Sequence, residues 1–281
     1  MLRIVMDTAG DLPTGWAKKY AIDLIPINII HKGKSYLQGF SVSYEDFYNW
    51  VEKDHDIPST SQPTPYQFIK FYRKIAKPGD TILSIHITDK LSGTMSSARQ
   101  AAEELKDEFT IIPFDSASGT VSMGMMCKEA RVMERKGTNI DKILKRLDSI
   151  RRRMELVFTV DTLKYARMSG RVKYLQAALA SLLNIKPIIE LKNGIIEMRG
   201  RARSRSKSIE LLLNKMKKKM GNQQINIAVV HARDSKTGEK VLEEVKKRFN
   251  CAEATLTELT ISLAAHFGPR TIGIVAYPTL G

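Results

Sequence analysis

Thr81-Ile82-Leu83-Ser84-Ile85 is a run of strand-forming residues, preceded by Pro78-Gly79. It leads through His86-Ile87-Thr88-Asp89-Lys90-Leu91-Ser92-Gly93-Thr94 into a helical stretch around Ala98 to Leu105. A short buried strand that feeds a helix is the repeating unit of a parallel sheet, because parallel neighbours need a crossover and the crossover is usually a helix. The same alternation runs through the first half. Arg3 to Met6 reads as a strand, Leu12 to Tyr20 as a helix, and Ile22 to Ile30 as one extended apolar run. Ser43 with Asp46 resembles a capping box, and Thr64-Pro65 supplies an N-cap followed by proline at the first helical position, opening a helix to about Ala76. A strand from Thr110 to Phe114 runs into Asp115-Ser116, and helices are expected over 118–136 and 140–152, the second capped by Asn139. This order implies an α/β unit whose parallel sheet carries helices on both faces.

The second half opens near Glu155 with a strand from Leu156 to Val160, then a helix over 173–183. Two strand-like runs flank Asn193-Gly194, a strong hairpin signal. A helix over 206–220, a strand over 225–230, a helix over 236–249, an extended run over 253–259 and a strand over 271–276 follow. A hairpin among β–α units predicts a mixed sheet. With 281 residues the chain has room for two domains, expected at 1–153 and 154–281.

Charge is divided unevenly. Residues 1–150 hold 20 Lys and Arg against 19 Asp and Glu, whereas residues 151–281 hold 25 against 11, so the net charge of +15 falls almost wholly on the second half. Such a surface suits an acidic partner: nucleic acid, an anionic membrane surface or an acidic protein. Arg199, Arg201, Arg203, Arg205 and Lys207 alternate, which in an extended chain would put five cations on one face. Aromatic residues are few nearby and no nucleic-acid module pattern occurs, which points away from nucleic acid; a basic nucleic-acid-binding or regulatory α/β protein is the alternative function. No apolar run approaches the ~18 residues of a membrane span. The chain enters a strand at once, with no leader pattern, and Cys127 and Cys251 stand in unrelated contexts as free thiols, which fits a cytoplasmic protein.

Ligands of open α/β sheets bind beyond the carboxyl ends of the strands. Polar residues gather at those places: Asp7-Thr8, Ser92 and Thr94, Asp115-Ser116, and Ser59 to Pro65 ahead of a helix. Any one of these reads as a cap or turn; together they mark one sheet edge. Neither GxxxxGK[ST] nor GxGxxG is present, so no nucleotide loop is indicated. Ala9 stands where a metal-assisted aspartyl nucleophile would have its second acid. His31, His55, His86, His231 and His266 show no metal spacing, and neither Ser92 nor Ser116 lies in a GxSxG elbow. His266, ahead of Gly268-Pro269, is expected in a turn at a strand edge. The methionine-rich stretch Thr120 to Cys127, with Met133, is suited to filling a core or to lining a pocket for a flexible hydrocarbon.

Several of these segments form an ordered series. Asp7-Thr8-Ala9-Gly10-Asp11-Leu12, Thr60-Ser61-Gln62-Pro63-Thr64, Leu91-Ser92-Gly93-Thr94, Asp115-Ser116, Leu163 to Val172 and His266-Phe267-Gly268-Pro269 resemble, in that order, motifs of the DegV family along essentially the whole chain. Two departures stand out: Arg270 replaces a glycine after Gly268-Pro269, and Ser169 replaces the first glycine of a Gly-Gly-Arg. The resemblance implies two α/β domains with a fatty-acid tunnel between them, and a role like that of the carrier subunit of bacterial fatty acid kinase. That carrier has no catalytic machinery of its own. It holds a fatty acid such as palmitate, stearate or oleate, with no metal or other cofactor. It presents the carboxylate to a separate ATP-binding kinase subunit, which makes acyl phosphate for phospholipid synthesis. By the same resemblance Thr60, Ser61, Ser92, Gly93, Thr94 and His266 hold the carboxylate, and Asp7, Thr8, Ser116 and Gly268 are secondary ligand residues. Arg171 then assists the kinase at the exposed carboxyl end.

Overall fold

The structure is a computed structural model that describes residues 1–170 and 185–279. It divides into two compact units, Met1–Arg151 and Arg152–Gly281.

The first unit has strands β1 (Leu2–Asp7), β2 (Ile22–Ile25), β3 (Asn28–His31), β4 (Lys34–Leu37), β5 (Ser59–Ser61), β6 (Thr81–His86) and β7 (Thr110–Asp115). Four make an all-parallel sheet in the order β2-β1-β6-β7, as the alternating pattern requires. The other three form a small antiparallel sheet, β4-β3-β5, that the sequence reading did not separate. The run Ile22 to Ile30 is divided between the two sheets. Pro26 has no N–H to continue the ladder, and Ile27 gives its N–H to the Thr8 hydroxyl at 2.9 Å. Leu12 to Tyr20 yields only α1 (Trp16–Lys19), because Pro13 and Gly15, at φ 81°, keep the chain before it out of helical geometry. The capping box of Ser43 and Asp46 opens α2 (Tyr44–Tyr48), which runs into a π-helical turn, Asn49–Lys53. Thr64 and Gln67 cap α3 (Pro65–Ile75) reciprocally. Next come α4 (Thr94–Glu104), α5 (Val121–Arg135) and α6 (Ile140–Arg153); Asn139 caps the last by accepting from the Lys142 N–H at 3.0 Å.

Strand alternation sends side chains to both faces of the parallel sheet. Val5, Ile25 and Ile82 meet Phe68 and Tyr72 of α3, Ala98 and Ala101 of α4, and Leu105, which caps α4. Met6 points the other way, where it lies with Met123 of α5 beside Gly10. Val121, Met123, Met125, Met126 and Cys127 are all buried, so the first turns of α5 present no exposed apolar side chain.

The second unit holds a mixed sheet of six strands. These are β8 (Glu155–Thr159), β9 (Lys186–Lys192), β10 (Ile195–Ala202), β11 (Ile225–His231), β12 (Cys251–Glu258) and β13 (Ile272–Pro278), in the order β10-β9-β8-β13-β11-β12. Only β11 and β12 run parallel; the Asn193-Gly194 hairpin joins β9 to β10. Its helices are α7 (Lys164–Ser169), α8 (Arg205–Met220), α9 (Ser235–Arg248) and α10 (Ile261–Phe267). Leu212, Leu213, Met216 and Met220 of α8 and Val241 and Val245 of α9 pack with Val157, Val229 and Ile274 in one core. On the opposite sheet face, Phe267 of α10 meets Phe158 edge to face at 4.9 Å. The expected helix over 173–183 lies outside the described residues.

The alternating cations do not share one face. Strand β10 shifts register between Met198 and Gly200 and ends at Ala202, and α8 starts at Arg205, whose guanidinium pairs with Asp234. No helix among the described residues is long and apolar enough to cross a membrane.

Candidate functional site

At the carboxyl ends of the parallel strands the polar residues split into a buried layer and a partly exposed rim. Asp7 ends β1 with no exposure. Its Oδ1 accepts from the Ala9 N–H at 2.9 Å, and its Oδ2 accepts from the Ile87 N–H at 2.9 Å and lies 3.0 Å from His86 Nδ1. His86 Nε2 is 2.7 Å from Ser84 Oγ, which is 2.8 Å from the Tyr72 hydroxyl. Burial, against the Ser84 hydrogen bond, pushes the Tyr72 hydroxyl well above its ordinary range, and burial together with the Asp7 charge does the same to the Cys127 thiol. The neighbouring secondary residues are also engaged with backbone. Thr8 accepts from Ile27, its carbonyl accepts from the Gln38 amide at 2.5 Å, and the Ser116 hydroxyl accepts from the Ser118 N–H at 3.1 Å. The buried Thr120 hydroxyl donates to Asp11 from a residue at φ 60°, ψ −151°, a strained backbone held by α5.

Above this layer lie the two hydroxyl-rich segments. Ser92 Oγ is 2.8 Å from Thr94 Oγ1 and accepts from the Thr94 N–H at 3.3 Å. Thr94 is fully buried whereas Ser92 is partly exposed, so Thr94 backs a hydroxyl that Ser92 presents. Helix α4 begins here, and its first-turn amides, which lack intrahelical acceptors, together with its dipole favour an anion beside the turn. Thr60 and Ser61 sit on β5, partly exposed, with Thr60 paired to Ile29. Gly93 brings the segments together: a Cβ there would lie 2.7 Å from Gln62 Nε2. Asn28 secures the Gln62 end, giving its amide to the Gln62 carbonyl at 3.1 Å and accepting from Gln67 at 3.1 Å.

In the second unit His266 is in the last turn of α10, not in a strand-edge turn as expected; the turn starts after it, at Gly268 with φ 80°. A Cβ on Gly268 would lie 2.3 Å from the Tyr165 ring, so glycine lets α7 and the His266-Phe267-Gly268-Pro269 segment pack ring against backbone. The Thr271 hydroxyl closes the turn by donating to the Gly268 carbonyl at 2.8 Å. Gly170 ends α7 in the left-handed region, and Arg171 lies outside the described residues.

Sequence reasoning named the rim residues as candidates and gave no site role to the side chains that support them: His86, Ser84, Tyr72, Gln38, Gln62, Asn28 and Tyr165. The period-two spacing of Ser84 and His86 on one strand was the available signal, since two polar residues on the buried face of a parallel strand need partners. Chemically the rim of the first unit offers neutral hydroxyl donors, backbone amides and a helix N-terminus. That set suits a carboxylate and supplies no exposed nucleophile–base pair. Among the described residues no group of three or more His, Cys, Asp or Glu is placed to hold a metal.

Known proteins resemble this chain over nearly its whole length. A DegV domain-containing protein of Staphylococcus aureus is 30% identical over 273 residues, covering 97% of each chain, and protein DegV of Bacillus subtilis is 28% identical over 278 residues. A solved DegV family protein from Thermus thermophilus, described as fatty acid binding, has 30% identity and a TM-score of 0.90 with 99% of both chains covered. A stearic acid-binding protein from Eubacterium ventriosum has 25% identity and a TM-score of 0.90, covering 99% of this chain and 98% of its own. The DegV family model matches residues 1–279. With the motifs, both sheets and the family match all in agreement, the chain belongs to the DegV family.

Proposed function

We propose that this protein binds a long-chain fatty acid and presents its carboxylate to a separate ATP-using kinase subunit for conversion to acyl phosphate. The observation that carries the binding half is the Thermus thermophilus relative, described as fatty acid binding, which matches this chain at 30% identity across 99% of both. The physical chemistry agrees. Burying an acyl chain of about sixteen carbons is worth roughly 12 kcal/mol at ~0.8 kcal/mol per methylene, and ordering the chain takes back much of it. The tail therefore supplies the affinity.

The head group is the expensive end and needs donors wherever it leaves water. In the proposal Ser92, Gly93 and Thr94 with Thr60 and Ser61 supply hydroxyls and amides, and His266 supplies an imidazole N–H. Asp7, Thr8, Ser116 and Gly268 act behind them. No lysine or arginine belongs to this set. A full ion pair would hold the carboxylate as a weaker nucleophile, whereas neutral donors leave it able to attack ATP. Arg171, by the family resemblance, steadies charge on the transferred phosphoryl group.

Organic extraction of the purified protein followed by mass spectrometry tests the binding half. Co-purifying fatty acid is expected, and Ser92→Ala should weaken retention by about 1–3 kcal/mol. Protein that carries no fatty acid and fails to take up stearate after delipidation overturns it. For the presentation half, Arg171→Ala should keep the lipid and lose acyl phosphate formation with the kinase subunit; unchanged turnover removes that role.

A further inference from the structure

We infer that Tyr72, Ser84, His86 and Asp7 form a positioning relay of fixed polarity that sets the head-group site of the first unit, an inference that rests on the fatty-acid reading above. The distances invite a different reading first. Asp7 to His86 at 3.0 Å and His86 to Ser84 at 2.7 Å are those of an acid–base–nucleophile triad. Yet Ser84 lies within β6 with 0% exposure, as do His86, Asp7 and Tyr72, and its hydroxyl already meets Tyr72 at 2.8 Å. No substrate carbonyl can approach it, so this trio does not act as a nucleophilic triad.

The proton inventory gives the chain a direction. Among the described residues, Ser84 is the only hydrogen-bond partner of the Tyr72 hydroxyl. Every proton finds an acceptor in one arrangement: Tyr72 O–H donates to Ser84, Ser84 O–H donates to His86 Nε2, and His86 Nδ1–H donates to Asp7 Oδ2. The reverse arrangement leaves the tyrosine proton without an acceptor in a dry interior, a costly outcome. The relay thus selects the Nδ1–H tautomer of His86 and directs that N–H, as a hydrogen-bond donor, at Asp7 Oδ2.

Asp7 joins two of the site's segments. Its Oδ1 holds the Ala9 N–H of the loop after β1, and its Oδ2 holds the Ile87 N–H, which starts the turn that leads to Ser92 and Thr94. Tyr72, at the other end, belongs to α3, the helix opened by Thr64 three residues after Ser61. One buried chain of hydrogen bonds therefore ties together the three segments that carry the proposed head-group donors. His86 is a positioning residue: it touches no ligand and acts through Asp7 and the Ile87 amide.

The experiment uses full-length, delipidated protein and radiolabelled stearate, with His86→Leu, His86→Asn and the control Phe109→Leu. Phe109 is a core residue just before β7, in the same apolar cluster as Tyr72 but at the amino end of the sheet, opposite the carboxyl end that carries the head-group turn. Nitrogen NMR of the wild type should show Nδ1 protonated and Nε2 bare in His86. His86→Leu removes the donor to Asp7 and should weaken stearate binding at least about tenfold. His86→Asn, whose amide N–H can take the place of Nδ1–H, should recover most of that loss. Phe109→Leu should lower the melting temperature without changing affinity. The inference falls if His86→Leu binds like wild type, if His86→Asn gives no recovery, or if affinity merely follows melting temperature across the set. An Nε2–H tautomer also sinks it. Wild-type protein that binds no stearate overturns the fatty-acid reading and the head-group role together, while the tautomer still reports on the relay itself.

Discussion

Gly124 and Arg270 show how single residues shape the two units. A Cβ on Gly124 would stand 2.5 Å from the Asp11 carbonyl oxygen, so only glycine lets α5 lie against the Asp7 to Asp11 loop. Arg270 is the opposite case, a bulky residue at φ 62° where the family pattern has glycine. The left-handed region costs a non-glycine residue about 1–2 kcal/mol, whereas glycine loses about 0.5–1 kcal/mol of unfolded-state freedom. The surrounding contacts are made by the backbone: its N–H donates to the Ala232 carbonyl at 2.7 Å and its carbonyl accepts from Arg205 at 2.7 Å. Arg270→Gly keeps both, and should stabilise the protein by up to about 1 kcal/mol in urea unfolding. An unchanged or lower midpoint would mean that the arginine side chain contributes more than the strain removes. The arginine itself was plain in the sequence, but its backbone angle was not: a turn residue reveals its conformation only through the hydrogen bonds that close the turn.

At the level of elements, legibility followed local signals. The caps at Ser43, Thr64 and Asn139 and the Asn193-Gly194 turn carry their own chemistry, and all lie where the sequence puts them. Strand β5 was missed because Ser59-Thr60-Ser61 has no apolar alternation and is held only by pairing with β3. Helix α10 was missed because Ile261 to Ala265 is buried throughout, which erases the helical period. His231 shows an element-level consequence of such burial. It ends β11 and accepts from the Asp234 N–H at 3.4 Å, with its ring edge against Gly238. Burial lowers its pKa below the ordinary imidazole value, outweighing the nearby acids Glu258, Asp234 and Glu239. The unfolded chain therefore takes up a proton at a higher pH than the folded one, and stability rises with pH across that window. Its contribution is complete above 6.5 and declines as the pH falls toward the lowered folded value. Wild-type melting temperature should drop more steeply than that of His231→Gln between about pH 7 and about pH 5.5, where an ordinary imidazole gains its charge. Parallel profiles for the two proteins would show that His231 does not contribute.

For the molecule as a whole, the uneven charge sets the response to salt. In the second unit Glu155, Asp161, Glu190, Glu197, Glu210, Asp234 and Glu244 already pair with Lys192, Lys186, Lys219, Arg199, Arg248, Arg205 and Lys247. Residues 151–281 carry 25 cations against 11 acids, so a large positive excess remains after those pairs are made. Salt acts on the two terms in opposite directions. It weakens the exposed ion pairs, worth about 0–1 kcal/mol each, and it relieves the mutual repulsion of the excess cations. The repulsion extends over many pairs beyond contact distance, and that long-range part is removed when the Debye length falls from about 30 Å to about 8 Å. The first half, with 20 cations against 19 acids, has no comparable excess. Raising salt from about 10 mM to about 150 mM should therefore raise amide-exchange protection in α8 and β11 more than in β6 and β1. A decrease in the second unit would mean that its ion pairs outweigh the repulsion among the excess cations.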